Sequence, residues 1–168
     1  VKLSIFKQSM AINLLMANME QPNILKAPKI AFKKSHPDAQ LPFRKRTNDT
    51  GYDLFSISDV LIPAKGDAEV PTGITVAKVP FGVWFLILPR SGMGFQHGIQ
   101  PHLGVIDNPY RGDLSVKLYN FSDKDYQISK GDRIAQIAYF PLLALEPEWS
   151  DEVENTDRGD KGFGNSGK

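Results

Sequence analysis

From Lys29 onward the apolar positions fall into short runs broken by turn residues. Ile30-Ala31-Phe32 gives way to His36-Pro37-Asp38, and Val60-Leu61-Ile62 to Pro63-Ala64-Lys65-Gly66-Asp67. Glu69-Val70 leads through Thr72-Gly73 into Ile74-Thr75-Val76, and the run from Val83 to Leu88 stops at Pro89. Leu114 to Asn120 and Ile134 to Phe140 read as two further strands. Turn signals recurring about every 8–12 residues predict an all-β subunit, a sandwich or barrel-like roll. Prolines 63, 71, 80, 89, 101, 109 and 141 are expected at run boundaries, where strands tolerate a missing N–H. No helix of useful length is predicted after residue 28, only a short turn following Arg90. There is no internal repeat.

Residues 1–28 have a different texture. Methionines recur at positions 10, 16 and 19, each a candidate start, and the stretch is helix-compatible, basic upstream and free of acid until Glu20. It has some flavour of a leader, but lacks arginine and is poor in serine. It is expected to be a flexible or leader segment without a catalytic role. The β domain is placed at residues 29–150 and a C-terminal arm at 151–168.

Charge sharpens this division. Nine of the 20 Lys/Arg lie in residues 1–46 beside only Glu20 and Asp38, so residues 47–168 carry eleven bases against seventeen acids. A net charge of +1 argues against a general nucleic-acid coat. The absence of cysteine excludes disulfides, a thiol nucleophile and Cys-ligated zinc. No apolar run approaches the ~18 residues of a membrane span. Cytoplasm is the default compartment, with nucleus or organelle left open.

Several short segments could carry chemistry. Arg158-Gly159 and Gly162-Phe163-Gly164-Asn165-Ser166-Gly167 are too rich in glycine for a core element. They offer a phosphate fork, an aromatic face for a base and backbone N–H groups that can approach an anion, unless the end simply frays. Arg90-Ser91-Gly92, at the end of an apolar strand, reads either as an anion site at a helix start or as a plain N-cap at Ser91. Gly104-Val105-Ile106-Asp107-Asn108-Pro109-Tyr110-Arg111-Gly112 reads as a β-hairpin returning from Asp113. Asp107 there is either a turn residue or a carboxylate able to orient and deprotonate a water. Gln136, inside an apolar strand after Lys130-Gly131-Asp132-Arg133, reads as a buried amide in need of partners. Gly51-Tyr52-Asp53-Leu54 is a further turn into a strand.

Taken in order, these five segments resemble the motifs of the trimeric dUTP nucleotidohydrolases, the dUTPases, over about residues 29–167. The resemblance implies a distorted jelly-roll, β-clip-like barrel subunit in a homotrimer with shared active sites and a mobile C-terminal arm. It implies hydrolysis of dUTP to dUMP and pyrophosphate with Mg²⁺, limiting uracil in DNA and supplying dUMP for dTTP synthesis. By carry-over, Asp107 activates the water that attacks the α-phosphorus. Tyr110 lies beneath the deoxyribose, and the backbone around Gly104, Val105 and Ile106 reads uracil. Arg90, Ser91, Gly92 and Gln136 hold phosphate oxygens, with Ser115 also among the substrate contacts. Arg158 reaches the γ-phosphate, and Phe163 with Gly164 closes over uracil. The metal is expected on the phosphates without a direct protein ligand, Asp53 being at most beyond its waters.

The chain departs from the family pattern at Pro101-His102, at Phe95-Gln96 (where an Ala-Lys-like pair is common), at Asn108-Pro109 and at Asn165. None of these removes a named group. The related dCTP deaminases need a glutamate about ten residues past the aspartate, where this chain has Lys117. A nucleotide-sensing or partner-binding protein on the same scaffold is the rival from another class, and the basic N-terminal segment is where a second role would lie. Neither nucleic acid nor membrane is an expected partner.

Overall fold

The computed structural model describes residues 28–157, 159 and 160. The expectations for residues 1–27, Arg158, Phe163, Gly164 and Asn165 therefore lie outside the described residues. Among the described residues, ten strands and one short helix follow in order: β1 (Ala31–Lys34), β2 (Tyr52–Phe55), β3 (Val60–Ile62), β4 (Asp67–Lys78), β5 (Val83–Leu88), α1 (Ser91–His97), β6 (Ile99–Pro101), β7 (Gly104–Ile106), β8 (Asp113–Asn120), β9 (Tyr126–Ile128) and β10 (Arg133–Pro141). All pairings are antiparallel. They form one sheet in the order β1-β4-β8-β6, a second in the order β2-β10-β5-β7, and the ribbon β3-β9. The all-β jelly-roll-like expectation holds, but the strands do not close into a barrel.

Side-chain alternation positions the layers. In β8, Leu114, Val116, Leu118 and Asn120 point inward while Asp113, Ser115 and Lys117 face out. In β10, Ile134, Ala135, Ile137 and Ala138 are all buried, as suits a strand held between two others. Phe85 of β5 is fully buried, with Phe32 and Tyr139 edge-on to it at 6.5 and 5.8 Å between ring centres. Burial also pushes the Tyr139 phenol well above its ordinary pKa. Buried Asn120 donates to the carbonyls of Ile62 and Lys124 and accepts from Ser122, tying a loop to the core without an unpaired atom.

Two expectations need correction. Residues 104–112 and the strand after them do not form a hairpin. β7 pairs with β5, whereas β8 pairs with β4 and β6, so the turn carries the chain from one sheet to the other. Pro71 does not mark a run boundary but lies inside β4, at the bulge where the β4–β8 register shifts between Pro71 and Ile74. That break removes the demand for its missing N–H.

Phe85→Ala is expected to lose about 3–5 kcal/mol of stability, and Phe85→Leu clearly less, because the ring fills the space between Phe32 and Tyr139. Denaturant midpoints of the three proteins check this.

Candidate active site

Three of the five segments meet where β2, β5 and β10 lie side by side. Gln136 is in register with Asp53 on one side and Leu88 on the other. Gln136 is half-buried rather than fully enclosed, and its Nε2 donates to the Pro89 carbonyl at 2.8 Å. Gly51 leaves room for this amide, since a Cβ there would collide with it.

The charge of this corner is organised by Asp53, whose side chain is 16% exposed. Arg90 Nε donates to its Oδ1 at 2.9 Å, and Arg133 Nη1 to its Oδ2 at 3.1 Å. Arg90 Nη1 also donates to the Arg133 carbonyl at 2.9 Å. Both guanidiniums are thus held by one carboxylate, with charge-assisted bonds stronger than neutral ones.

Helix α1 begins directly after Arg90. Arg90 itself is the N-cap residue, with extended backbone and no capping side chain, so Ser91 is the first helical residue and not the cap. The first intrahelical bond runs from the Gly94 N–H to the Arg90 carbonyl at 3.1 Å. The N–H groups of Ser91, Gly92 and Met93 precede it and have no partner within the helix. Buried Met93 anchors the helix, and Gly98 ends it in the left-handed conformation at φ 68°. Lys45, Arg46, Gly51, Asp53, Arg90, Ser91, Gly92, Arg133 and Gln136 line an open cleft of about 440 Å³. A neighbouring hollow of about 310 Å³ extends it past Phe95 and Gln100. Such a corner, rich in guanidinium and N–H donors, suits phosphate oxygens.

Asp107 lies elsewhere. Gly104 pairs with Ile87 and Ile106 with Phe85, so β7 runs away from the cleft and delivers Asp107 beside the start of β5. The turn is braced from within: Asn108 Nδ2 donates to the carbonyls of Pro80 and Val83, both at 2.7 Å. Arg111 donates to the Asn108 and Tyr110 carbonyls instead of pairing with Asp107. The Tyr110 hydroxyl donates to the Asp113 carbonyl at 2.7 Å, and its ring occupies the space a Cβ on Gly112 would need. Tyr110 is therefore a fixed, exposed ring beside an exposed carboxylate.

One chain does not bring these groups together. From the level of Asp107, beside Trp84, to Arg90 is six residues of extended chain, about 20 Å at a strand's rise. Gly104 lies nearer the cleft, at the other end of β7 from Asp107, while Val105 is exposed and Ile106 half-buried between them. Ser115 is remote from the cleft, facing outward on β8 with its hydroxyl on Glu69. Lys45, Arg46 and Arg133 were not anticipated as site residues. Arg133 could have been found from its place three residues before Gln136; Lys45 and Arg46, six and five residues before Gly51, stand in a basic run that reads as solvated surface.

A dUTPase family model matches residues 37–167. The deoxyuridine 5'-triphosphate nucleotidohydrolase of Paramecium bursaria Chlorella virus 1 is 43% identical over 135 residues, covering 80% of this chain and 95% of that one. The rice protein of the same name is 40% identical over 141 residues, covering 84% and 82%. Among solved structures, the dUTPase of Staphylococcus bacteriophage 80alpha with dUPNHPP superposes with a TM-score of 0.78 at 28% identity, over 84% of this chain and 100% of that one. A point mutant of the dUTPase from phage phi11 of S. aureus, described for its coordination of a structural Mg(II) ion, shares the fold with a TM-score of 0.70 at 24% identity, over 76% and 100%.

Asp53→Ala is expected to cost about 1–3 kcal/mol of stability by leaving two guanidiniums without their acceptor. Added pyrophosphate should restore part of that loss by supplying the missing negative charge. Thermal melts with and without pyrophosphate check both.

Proposed function

The chain belongs to the dUTPase family and is an enzyme that hydrolyses dUTP; we propose that it does so by attack of an Asp107-activated water on the α-phosphorus, in a site assembled from more than one copy of the chain. The observation that carries this reading is the separation just described. A phosphate cleft stands at one end of β5, and at the other a carboxylate, unpaired among the described residues, beside a fixed aromatic ring. In a homotrimer the turn of one subunit can face the cleft of the next.

In the reaction, the water oxygen bonds to the α-phosphorus as its proton passes to Asp107. The α–β bridging oxygen leaves with the pyrophosphate, and dUMP remains. Arg90, Gln136, the Ser91 hydroxyl and the N–H groups of Ser91 and Gly92 hold the phosphates in line. Positioning and charge neutralisation are most of what phosphoryl transfer asks of a protein. The Tyr110 ring, fixed by its bond to Asp113, supplies a flat floor for a sugar without a 2′-hydroxyl. Arg158, Phe163 and Gly164 are assigned to closing the site, Arg158 on the γ-phosphate and Phe163 on the base. Hydrolysis keeps uracil out of DNA, and the dUMP formed is available for dTTP synthesis.

The donor set of the cleft fits magnesium carried in on the triphosphate. Among the described residues no three His, Cys, Asp or Glu side chains cluster to hold a cation. The cleft's carboxylates are already engaged: Asp53 by two arginines, and Asp49 Oδ2 by the Arg46 N–H at 3.0 Å. Magnesium, when bound, would neutralise phosphate charge and favour departure of the pyrophosphate.

Asp107→Asn is expected to lower pyrophosphate release from dUTP by about 10²–10⁴-fold while the protein stays folded, because only the proton acceptor is lost. Arg90→Ala is expected to be similarly impaired. Refolding the two variants together should restore part of the activity, since mixed oligomers would contain sites with both residues intact. Folded mixed oligomers with no recovery would refute the shared site.

A further inference from the structure

The phosphate cleft carries more positive charge than the roles above use. Lys45, Arg46, Arg90 and Arg133 line it against Asp49 and Asp53, four cations against two carboxylates. The loop bearing Lys45 and Arg46 is held in place at both ends and from within. At its ends, Phe43 and Asp53 exchange backbone bonds of 3.3 and 2.7 Å. Inside it, the Asp49 N–H donates to the Arg46 carbonyl at 3.1 Å, and the Arg46 N–H returns a bond to Asp49 Oδ2 at 3.0 Å. Arg44 donates to the Asp49 carbonyl at 3.3 Å, and its guanidinium lies 4.9 Å over the Tyr52 ring. Arg44 is therefore a brace. The side chains of Lys45 and Arg46 are exposed at the cleft and form no ion pair among the described residues.

We propose that this loop is a further anion subsite, in which Lys45 and Arg46 take a terminal oxyanion of a polyphosphate whose inner phosphates lie at Arg90, Ser91 and Gln136. The assignment rests on the reading of dUTP hydrolysis above and adds two residues to it. A lysine supplies a mobile point charge and an arginine a planar fork, a pair suited to a phosphate that carries most of its charge at the end of a chain. The Phe43–Asp53 bridge joins the loop to the carboxylate that holds Arg90 and Arg133, so subsite and cleft move as one unit. The same chemistry is offered by the γ-phosphate of the substrate and by free pyrophosphate, and the measurement separates them.

The full-length protein and the double variant Lys45→Ala/Arg46→Ala would be titrated calorimetrically with inorganic tripolyphosphate and with pyrophosphate, and assayed for turnover of dUTP. Tripolyphosphate Kd should rise at least about tenfold in the variant and kcat/KM for dUTP should fall by a similar factor. Weakening confined to tripolyphosphate and dUTP assigns the subsite to the γ-phosphate; equal weakening for pyrophosphate assigns it to the leaving group as well. A Lys33→Ala/Lys34→Ala variant, which removes two exposed charges from β1, should bind all three as the wild type does. Unchanged tripolyphosphate binding in the first variant, or an equal loss in the second, would overturn the subsite. Failure of the wild type to turn over dUTP would count against the catalytic reading alone, because tripolyphosphate binding is measured without turnover.

Discussion

Strand β5 sets the geometry on which everything else depends. It lies between β10 and β7, with Phe85 fully buried beneath it, so it can neither bend far nor slide. Its C-terminal end launches Arg90 and Ser91 beside Gln136, and its N-terminal end receives the turn that carries Asp107. A six-residue strand held this firmly keeps the two ends about 20 Å apart. No rearrangement of loops within one subunit closes that distance without tearing β7 from the sheet. Within one subunit Asp107 and the cleft therefore stay apart.

The two carboxylates differ in their charged neighbours. In the cleft, a carboxylate next to Arg90 and Arg133 becomes what Asp53 is, a charge engaged on both oxygens that organises its partners. Asp107 forms no such ion pair among the described residues of the subunit. Arg111, four residues on, is occupied by two backbone carbonyls, and Asn108 secures the turn through Pro80 and Val83. Within one subunit Asp107 thus stays apart from the cleft's arginines.

The sequence made legible what depends on local order. Turn residues at regular spacing announced the β architecture, and Gly51 through Leu54, Pro89 through Gly92 and Arg133 through Gln136 stand together as their order suggested. What it could not convey was pairing. Gly104–Gly112 has the look of a hairpin, yet its arms go to different sheets, because β5 and β4 offer longer apolar partners than the arms offer each other. Ser91 looks like a cap, but the helix turns one residue sooner, so Arg90 takes that place. Pro71 looks like a boundary because a bulge leaves no trace in composition.

The basic residues of the loop between Phe43 and Asp53 illustrate the same limit from the side of function. Lys45 and Arg46 continue a run that is positive from the chain's beginning, and nothing local distinguishes them from Lys33 and Lys34 on β1. What separates the pairs is a bridge between Phe43 and Asp53, ten residues apart, which folds one pair into the cleft and leaves the other on an outer strand. The bridge depends on the strand that carries Asp53, and that strand on its register with β10. A basic residue in this chain therefore reaches the cleft only through the sheet behind it. The charge gathered in the cleft is a property of how β2, β10 and β5 align, more than of any single guanidinium.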